Sequence, residues 1–525
     1  MKQTLWRYIL AALGGGIQTL AWPWPGWWPL SFVALVPLIV AVRGQSGRGA
    51  FASGWVYGLA LSLSSLPWLA DVLAGYGGLG FWLGWLIILF LAAYLALYPA
   101  LFAWLITLRC PGFLSWSLAG AGAWAGLDWL KNWLLTGFNW TPLAGPLALS
   151  AEMGQAADIF GFYGLGFFVA LVNLWLAAPF FPGQEKSPAA GRAFLLAALG
   201  LLALAFAYGR LSYERWEAAA GRASNRLVAV IQPAIDQAEK WDPLDRARHL
   251  ALYDGLVRKA GRTSPWLILW PETALPFIYG FDQEETAWLD NLAAEVGGFN
   301  LAGVSGLDGV WPDQTLHNRM LLFQDGRPGP WYDKRHLVPF GEYLPLAWLP
   351  FLRLDFIQGV IGAAGTYSPG RLQPPLDLPL GQGQTRQVHL GFMICFESTF
   401  PYLGRERVRA GADLLVVPTN DAWFGRSRAP SQHLLQAAMR AIETRRPLVR
   451  AGNTGISAVI SPSGRITQAT ELMALGVFPL ETPILAPADT KPSLFLSWGH
   501  GLAPLLAAWT LLMAGIRWSA KAEIT

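Results

Sequence analysis

Three side chains that could perform covalent chemistry each follow an apolar run in the second half of the chain. Glu272 follows WLILWP, Lys334 follows MLLF and its continuation GRPGPWYD, and Cys395 follows VHLGFMI. A free thiol with a pKa of about 8.5 is only slightly ionised at neutral pH. A carboxylate that accepts its proton, or an ammonium that favours its anion, is what makes it a nucleophile. The three residue types together indicate nucleophilic cysteine chemistry.

Each of these residues also has a plainer interpretation. A carboxylate or lysine at the end of a strand is commonly a surface ion pair, and a cysteine after an apolar strand is commonly part of the core. Lys334 also suits the stabilisation of an oxyanion, because a fixed positive charge in a dry site favours developing negative charge. The other cysteine, Cys110, is interpreted as structural.

The elements that would position the three residues are short strands alternating with helices. The clearest helix is predicted over 431–446, where apolar residues recur on one face. Continuous apolar strands are buried on both faces, so the pattern favours an α/β sandwich with its reactive groups beyond the carboxyl ends of the strands. The predicted strands begin with RLVAVIQ, WLILW, LAGVSG, MLLF, VHLGFMI, DLLVVP and SAVISP.

The composition is that of a membrane protein with one soluble part. Of 525 residues, 54% are apolar and 14% charged, and 28 are Trp. Apolar segments of roughly 20 residues can cross about 30 Å of hydrocarbon. Eight transmembrane helices are predicted, the first two folded back at WPWPGW, because proline breaks a helix. The predicted crossings are 8–22, 28–42, 51–70, 81–108, 111–130, 159–181, 193–208 and 494–516.

Basic residues concentrate in the loops on one side of these crossings, which predicts that this side is cytoplasmic. The opposite short loops contain only Lys131. The chain then divides into a seven-helix domain over 1–211, an extracytoplasmic catalytic domain over 212–491, and a final helix with a short cytoplasmic tail over 492–525. Cys395 and Cys110 fall on opposite sides and cannot pair. The basic residues on the cytoplasmic side are Lys2, Arg7, Arg43, Arg48, Arg109, Lys186, Arg192, Arg517 and Lys521.

Other chemistries find little support in the sequence. The net charge of +4 is not gathered into basic runs with interleaved aromatics, so no nucleic-acid partner is expected. The six histidines form no HxxxH or HExxH pair and no phosphate-binding GxxxxGKS is present, so neither a metal nor a cofactor is expected. His336 lies near Lys334 in sequence, which leaves a Cys–His dyad as a less favoured alternative.

Three segments resemble the nitrilase superfamily in order and content. They are WPET (270–273), YDKRHLVPFGEYLP (332–345) and GFMICFE (391–397). The resemblance implies a nitrilase-like αββα sandwich in which Cys395 is the nucleophile, Glu272 its general base and Lys334 the cation beside the tetrahedral intermediate.

A longer match extends the resemblance to the apolipoprotein N-acyltransferase family and covers nearly the whole chain. It adds KWDP (240–243), TNDAWFG (419–425) and RAGNTGIS (450–457). The family is similar in layout as well, with seven helices, a nitrilase domain and one final helix. TGFNW (136–140) resembles a family TGFPW segment, from which Asn139 departs.

The family resemblance also implies supporting residues. Glu342 and Glu397 are expected to support the site, the alternative being an ion pair that holds Lys334 or an arginine. Phe396 stands where many members have Tyr, and its amide N–H is a further donor for the oxyanion. Residues expected to bind substrate, or else simply to pack, are Trp241, Trp423 and Asn318.

The implied activity is acyl transfer at a bacterial inner membrane, with the catalytic domain on the periplasmic face. The thiol would take an acyl group from a phospholipid as a thioester, and the α-amine of a diacylglyceryl-cysteine at an apolipoprotein N-terminus would then receive it. Asp128, near one helix end, would contact headgroups or cap a neighbouring basic residue. Two alternatives stay open: a membrane-tethered nitrilase-type amidohydrolase, and a transporter whose outer domain binds without catalysis.

Overall fold

The computed structural model describes residues 2–75, 80–108, 110, 112–180, 188–309, 313–345, 367–381 and 385–510. The chain clusters into two compact units. The helical unit comprises Met1–Ala70, Phe81–Glu214 and Ser493–Thr525. The sheet unit comprises Asp71–Gly80 and Arg215–Pro492.

The described part of the chain before the first strand is almost entirely helical. Its break at Trp28–Phe32, a short 3-10 turn, follows the proline-rich segment that the sequence marked as a turn. The helices are α1 (Lys2–Ala21), α2 (Val36–Val42), α3 (Gly47–Ser65), α4 (Pro67–Gly75), α5 (Gly80–Leu95), α6 (Leu97–Leu105), α7 (Phe113–Lys131), α8 (Ala157–Leu176) and α9 (Pro188–Gly221).

Within the described residues, three helical segments are long and apolar enough to cross a membrane, or four if a bent pair counts as one span rather than a re-entrant loop. The chain is thus indicated to be a membrane protein, but the predicted count of eight crossings is not confirmed. The final predicted crossing ends at Ile516, which lies outside the described residues. Four of the basic residues predicted on the cytoplasmic side also lie outside them: Arg109, Lys186, Arg517 and Lys521. The segments are Gly80–Leu105, Ala157–Leu176 and Gly191–Gly221, and the pair is Gly47–Ser65 with Pro67–Gly75, bent by 56°.

Close packing at glycines and side-chain hydrogen bonds hold the apolar helices together. Neither depends on a hydrophobic driving force between the helices. Glycines let α3 approach α6 closely: a Cβ on Gly54 would lie 2.3 Å from the Pro99 carbonyl oxygen. Asn173 on α8 satisfies the backbone at the break before α2, since its Oδ1 accepts from the Leu35 N–H at 2.9 Å and its Nδ2 donates to the Ser31 carbonyl at 2.9 Å.

The sheet unit contains two sheets in the described part of the chain. The first has seven strands, in the order β13-β1-β2-β4-β5-β6 with β3 beside β4, and the second has six, in the order β12-β11-β10-β9-β8-β7. The strands are β1 (Ser224–Gln232), β2 (Leu267–Leu269), β3 (Ile278–Tyr279), β4 (Phe299–Asp308), β5 (Thr315–Gln324), β6 (Arg327–Asp333), β7 (Leu376–Pro379), β8 (Gln387–Phe392), β9 (Leu414–Thr419), β10 (Leu448–Gly452), β11 (Ala458–Ile460), β12 (Ile466–Ala469) and β13 (Gly476–Ile484).

The two sheets pack face to face. One core cluster joins residues of the first sheet, such as Val228 and Leu301, to residues of the second, such as Leu390 and Val416. A second cluster lies on the other face of the first sheet and includes Tyr253 and Leu289 from two helices. The remaining helices are α10 (Arg246–Gly261), α11 (Gln283–Val296), α12 (Pro401–Arg409), α13 (Ala429–Thr444) and α14 (Leu494–Trp498).

Helices α10 and α11 cover the first sheet, and α12 and α13 contact the second, so the layers run helix, sheet, sheet, helix. This confirms the α/β sandwich predicted from the apolar strands. A continuous cluster of buried apolar residues fills the space between the two inner faces.

Candidate active site

The three predicted reactive residues each lie just beyond the carboxyl end of a strand. Glu272 follows β2, Lys334 follows β6 and Cys395 follows β8. Two of these turns contain a non-glycine residue in the left-handed backbone region, Thr273 at φ +39° and Cys395 at φ +51°. Such backbone is costly and persists only where the surroundings enforce it. All three reactive residues are buried, with exposed fractions of 4%, 1% and 8%.

Lys334 lies between two carboxylates. Its Nζ donates to Glu272 Oε1 at 2.8 Å and to Glu342 Oε1 at 2.9 Å. Burial alone lowers the pKa of a lysine, but Glu272 and Glu342 together raise the pKa of Lys334 well above its ordinary value. The side chain is therefore a fixed ammonium at neutral pH.

Glu272 is held as a carboxylate by hydrogen bonds to both oxygens. Its Oε1 accepts from Asn318 Nδ2 at 2.7 Å as well as from Lys334, and its Oε2 accepts from the Asn420 backbone N–H at 2.9 Å. Burial raises the pKa of Glu272, but the charge of Lys334 and these hydrogen bonds bring it below its ordinary value. The group is ionised and fixed in orientation.

Cys395 rests as a neutral thiol. Burial raises the pKa of Cys395 far above its ordinary value, Glu272 raises it further, and Lys334 opposes the change. The thiol is buried like the carboxylate and the ammonium, and its sulfur lies within 4.8 Å of ligand atoms of Asp421 and His433. An apolar environment disfavours the thiolate, so the thiol is expected to lose its proton only as it attacks.

The two supporting glutamates differ in their contacts. Glu342 forms the expected ion pair with Lys334, and its Oε2 accepts from the Val338 N–H at 2.8 Å. Glu397 instead ties two loops together: its Oε1 accepts from the Arg335 N–H at 2.8 Å and its Oε2 from the Ile394 N–H at 2.7 Å. The turn that contains Cys395 is thereby fastened to the loop after Lys334.

Asn318 belongs to the cluster itself. Its Nδ2 donates to both Glu272 and Glu342, and its Oδ1, in a side chain that is 2% exposed, has no hydrogen-bond partner among the described residues. Trp241 is 40% exposed in the turn before α10. Trp423 is partly buried in the short 3-10 turn Asp421–Phe424.

Phe396 and His336 contact each other through the aromatic ring of Phe400. Phe396 is buried and meets Phe400 edge to face at 5.0 Å, while the His336 ring lies 3.7 Å from that of Phe400. The Nδ1 of His336 is 2.8 Å from the hydroxyl of Tyr402. These contacts direct the ring towards Phe400 and Tyr402.

Sequence reasoning missed Lys240 as a member of the site. The residue is 3% exposed, and no hydrogen bond joins its Nζ to any described residue. Burial lowers the pKa of Lys240 to about 8, and the charges of Glu272 and Cys395 act in the opposite direction. The signal was a lysine inside the KWDP segment directly after β1.

An amide network behind Glu272 was also missed. Asn420, whose backbone N–H binds Glu272, donates from Nδ2 to Gln237 Oε1 at 2.7 Å and accepts at Oδ1 from Asn453 Nδ2 at 2.9 Å. Single amides carry no spacing pattern, although Asn420 and Asn453 both lie in segments that the family resemblance marked.

Two groups of side chains could present several ligand atoms to one metal ion. They are Cys395 with Asp421 and His433, and Asp308 with His317 and Asp333. Each group already neighbours a guanidinium, since Arg450 Nη2 lies 2.6 Å from Asp421 and Arg319 Nε lies 2.6 Å from Asp333. The positive charge that a metal would bring is thus supplied by an arginine.

Two family models match the chain. The N-terminal domain of apolipoprotein N-acyltransferase matches residues 14–175, and the carbon-nitrogen hydrolase model matches residues 227–478. The boundaries fall on the helical part and on the sandwich respectively.

Curated relatives resemble the chain over most of its length. A protein of Geobacter metallireducens named apolipoprotein N-acyltransferase is 38% identical over 472 residues, covering 89% of this chain and 87% of its own length. A protein of Pseudomonas syringae pv. tomato with the same name is 32% identical over 514 residues, covering 97% of each chain. Among solved structures, an amidase from Nesterenkonia sp. is 22% identical and covers 51% of this chain and 95% of its own, with a TM-score of 0.35.

Proposed function

Because the chain belongs to the apolipoprotein N-acyltransferase family, we propose that Cys395 carries a fatty acyl group from a phospholipid to an apolipoprotein. The acceptor is the α-amine of a diacylglyceryl-cysteine at the apolipoprotein N-terminus. The observation that supports this most directly is the buried cluster of Glu272, Lys334 and Glu342 beside a buried thiol.

In the first step, the Cys395 sulfur attacks the ester carbonyl of the phospholipid. Glu272 accepts the thiol proton as the carbon–sulfur bond forms, because its oriented carboxylate is ionised before substrate arrives. The tetrahedral intermediate then collapses, the carbon–oxygen ester bond breaks, and Glu272 returns the proton to the leaving oxygen. The products are a thioester at Cys395 and a lysophospholipid.

Lys334 has the chemistry to stabilise the oxyanion of this intermediate. An ammonium carries three donors, and the described residues account for two of them, at Glu272 and Glu342. The third donor is available to the developing negative charge. Because the ammonium is buried and already oriented, it needs little reorganisation as that charge appears.

In the second step, the α-amine of the acceptor attacks the thioester. Glu272 accepts the proton that the nitrogen loses, and the proton passes to the departing thiolate, so that an amide forms and the Cys395 thiol is restored. The two half-reactions use the same three groups, which explains why no co-reactant beyond the two substrates is required. Glu342 and Asn318 keep Lys334 and Glu272 in place throughout.

The membrane location follows from the substrates. Moving an acyl chain of about sixteen carbons from a bilayer into water costs roughly 13 kcal/mol, at about 0.8 kcal/mol per CH₂. We propose eight crossings, with residues 212–491 on the periplasmic face of the inner membrane and both termini in the cytoplasm, so that the thiol lies where lipid chains reach it. Trp241 and Trp423 are proposed to contact these chains.

The proposed transfer is tested with the full-length enzyme in detergent, a diacyl phospholipid and a synthetic diacylglyceryl-cysteine lipopeptide. The triacyl lipopeptide and an equal amount of lysophospholipid are expected. Hydrolysis of a simple amide without triacyl product would favour an amidohydrolase instead, and fatty acid released from the phospholipid would show that water resolves the acyl-enzyme. Cys395→Ala is the matched control and yields neither product.

A further inference from the structure

The backbone carbonyl of Cys395 is held by two side chains. Its oxygen accepts from Ser398 Oγ at 2.8 Å and lies 2.9 Å from His433 Nε2. This peptide belongs to the residue whose φ of +51° places it in the left-handed region, which a non-glycine residue adopts only when its surroundings enforce it. The two contacts hold the carbonyl of this peptide in place.

Both ring nitrogens of His433 have polar neighbours, and Nε2 also lies 3.0 Å from Ser398 Oγ. Since a carbonyl oxygen only accepts, the Nε2 of His433 carries the hydrogen. Its Nδ1 lies 3.0 Å from Arg450 Nη2 and 3.0 Å from Asp421 Oδ1. Burial and the charge of Arg450 lower the pKa of His433, whereas the charge of Asp421 and its hydrogen bond to the ring act in the opposite direction.

Asp421 and Arg450 fix the His433 ring on its Nδ1 side. Arg450 Nη2 donates to Asp421 Oδ2 at 2.6 Å, and Asp421 Oδ1 accepts from Thr419 Oγ1 at 2.7 Å. All of these side chains are fully buried. The ring that reaches the Cys395 carbonyl is therefore held in one orientation.

The same turn also holds the carboxylate of the site. Asn420, directly before Asp421, donates its backbone N–H to Glu272 Oε2 at 2.9 Å. A displacement of this turn would move Glu272, because Asn420 binds it. The same displacement would move Cys395, because Asp421 contacts His433 and His433 contacts the Cys395 carbonyl. The two groups that exchange the proton are thus positioned from a single three-residue segment, 419–421.

We propose that His433, fixed by Arg450 and Asp421, is a positioning residue that holds the Cys395 backbone so that its thiol faces Glu272 and Lys334. The inference rests on the proposed role of Cys395 as nucleophile. His433 itself does not exchange a proton with substrate, because its Nε2–H is committed to the carbonyl of Cys395.

The test compares His433→Leu with His433→Gln in the full-length enzyme. Leu removes the donor, whereas the Gln amide places an N–H near the position of Nε2. We expect His433→Leu to slow thioester formation by about 10- to 100-fold, with the KM for phospholipid changed less than about threefold. His433→Gln is expected to recover most of the rate. Equal losses in both variants, or none in either, would overturn the proposal.

Alkylation of Cys395 by iodoacetamide separates this inference from the proposed function. The alkylation rate needs no lipid, so it reports the position of the thiol even if the enzyme transfers no acyl group. His433→Leu is expected to change that rate at least threefold while His433→Gln stays near the wild-type value. An unchanged rate in His433→Leu would contradict the positioning role.

A matched control is His249→Leu. This second buried histidine also lies on a helix, α10, but neither of its ring nitrogens has a hydrogen-bond partner in the described chain. Its removal is expected to leave both rates unchanged. Should His433→Leu fail to fold, Ser398→Ala removes the other donor to the same carbonyl and is expected to change the alkylation rate about threefold. A wild-type rate in that variant would count against the proposal.

Discussion

Strands β5 and β6 contribute residues to two charged clusters that are similar in composition but different in function. Asn318 and Lys334 belong to the buried cluster around Glu272, whereas their immediate neighbours Arg319 and Asp333 form a second cluster with Asp308. Because successive residues of a strand point to opposite faces, a one-residue step separates the two.

In the second cluster the cation is a guanidinium held between two carboxylates. Arg319 donates from Nε to Asp333 Oδ1 at 2.6 Å and from Nη2 to Asp308 Oδ2 at 2.8 Å, and its guanidinium lies 4.5 Å from the centre of the Trp331 ring. A planar guanidinium forked onto carboxylates gives a fixed structural contact.

Lys334 also faces two carboxylates, but as a point charge that is almost completely buried and lies in the same site as a thiol. The comparison teaches that the number of charges does not distinguish a structural ion pair from a reactive one. The geometry of the cation, the depth of burial and the presence of a nucleophile do. Substitutions in the cluster around Lys334 should therefore reduce activity more than stability, and substitutions in the cluster around Arg319 should reduce stability more than activity.

Cys395→Ala should have the largest effect on activity. Without the sulfur no thioester forms, and we expect transfer to fall on the order of 10⁴-fold or more. Triacyl lipopeptide formation measures the loss. Thermal unfolding is the control and should change little, since the side chain removed is small. Substantial turnover in this variant would place the nucleophile elsewhere.

Lys334→Met should reduce transfer by about 100- to 1000-fold, the range found when a preorganised oxyanion donor is lost. The substitution also removes the charge that lowers the pKa of Glu272, so burial should raise that pKa. Because Glu272 must then be deprotonated at higher pH, the acidic limb of the pH–rate profile should move to higher pH. A profile that keeps its acidic limb would argue against contact between the two groups.

Arg319→Met should show the opposite pattern. Asp333 would be left buried without its cation, which costs about 3 kcal/mol of the free energy of unfolding. The KM and kcat of the folded fraction should stay within a few-fold of wild type. Denaturant unfolding measures the stability and transfer assays on the same preparation measure the activity. A loss of kcat comparable to that of Lys334→Met would contradict the distinction between the clusters.

Lys240→Met should stabilise the protein while reducing its activity. The pKa of Lys240 in the folded chain is about 8, below the ordinary 10.5, so folding is penalised while the group is protonated in both states. The penalty is at most about 3 kcal/mol below pH 8 and disappears as the pH rises towards 10.5. The stability of variant and wild type should converge over that interval. A variant that is less stable at pH 7 would contradict the unpaired placement.

Phe396→Tyr should have the smallest effect. The side chain is buried against Phe400, and an added hydroxyl must find a partner there. We expect transfer to change less than about fivefold, measured as initial rates with saturating phospholipid. A gain or loss of tenfold or more would assign this position a direct role in the reaction.

Much of the sandwich was readable from the sequence because its central strands are continuous apolar runs. All seven runs coincide with strands, and the helix predicted over 431–446 is α13 at Ala429–Thr444. Strand β13 was missed since Pro479 and Pro483 resemble loop residues, yet it pairs with β1 at the edge of its sheet, where proline is tolerated. Strand β10 was missed because it is short and contains the buried Arg450.

The reactive residues could be predicted from the sequence because each lies in a segment with a recognisable motif. The residues that hold them in place could not be predicted in this way. Nothing in the spacing of Asn420, His433 or Gln237 indicates that they converge, since the contacts join segments up to 183 residues apart. The alternative that Asp128 caps a basic residue agrees with its 2.9 Å contact to Lys131. The number of crossings stays a prediction because length and hydropathy alone single out fewer helices.

Intact-mass spectrometry tests the central claim most directly. The purified full-length enzyme, incubated with a single defined phospholipid and no acceptor, should gain the mass of one acyl group. Peptide mapping should place it on Cys395, and adding the lipopeptide should remove it. An enzyme that turns over without such an adduct, or that carries the acyl group on another residue, would contradict the account.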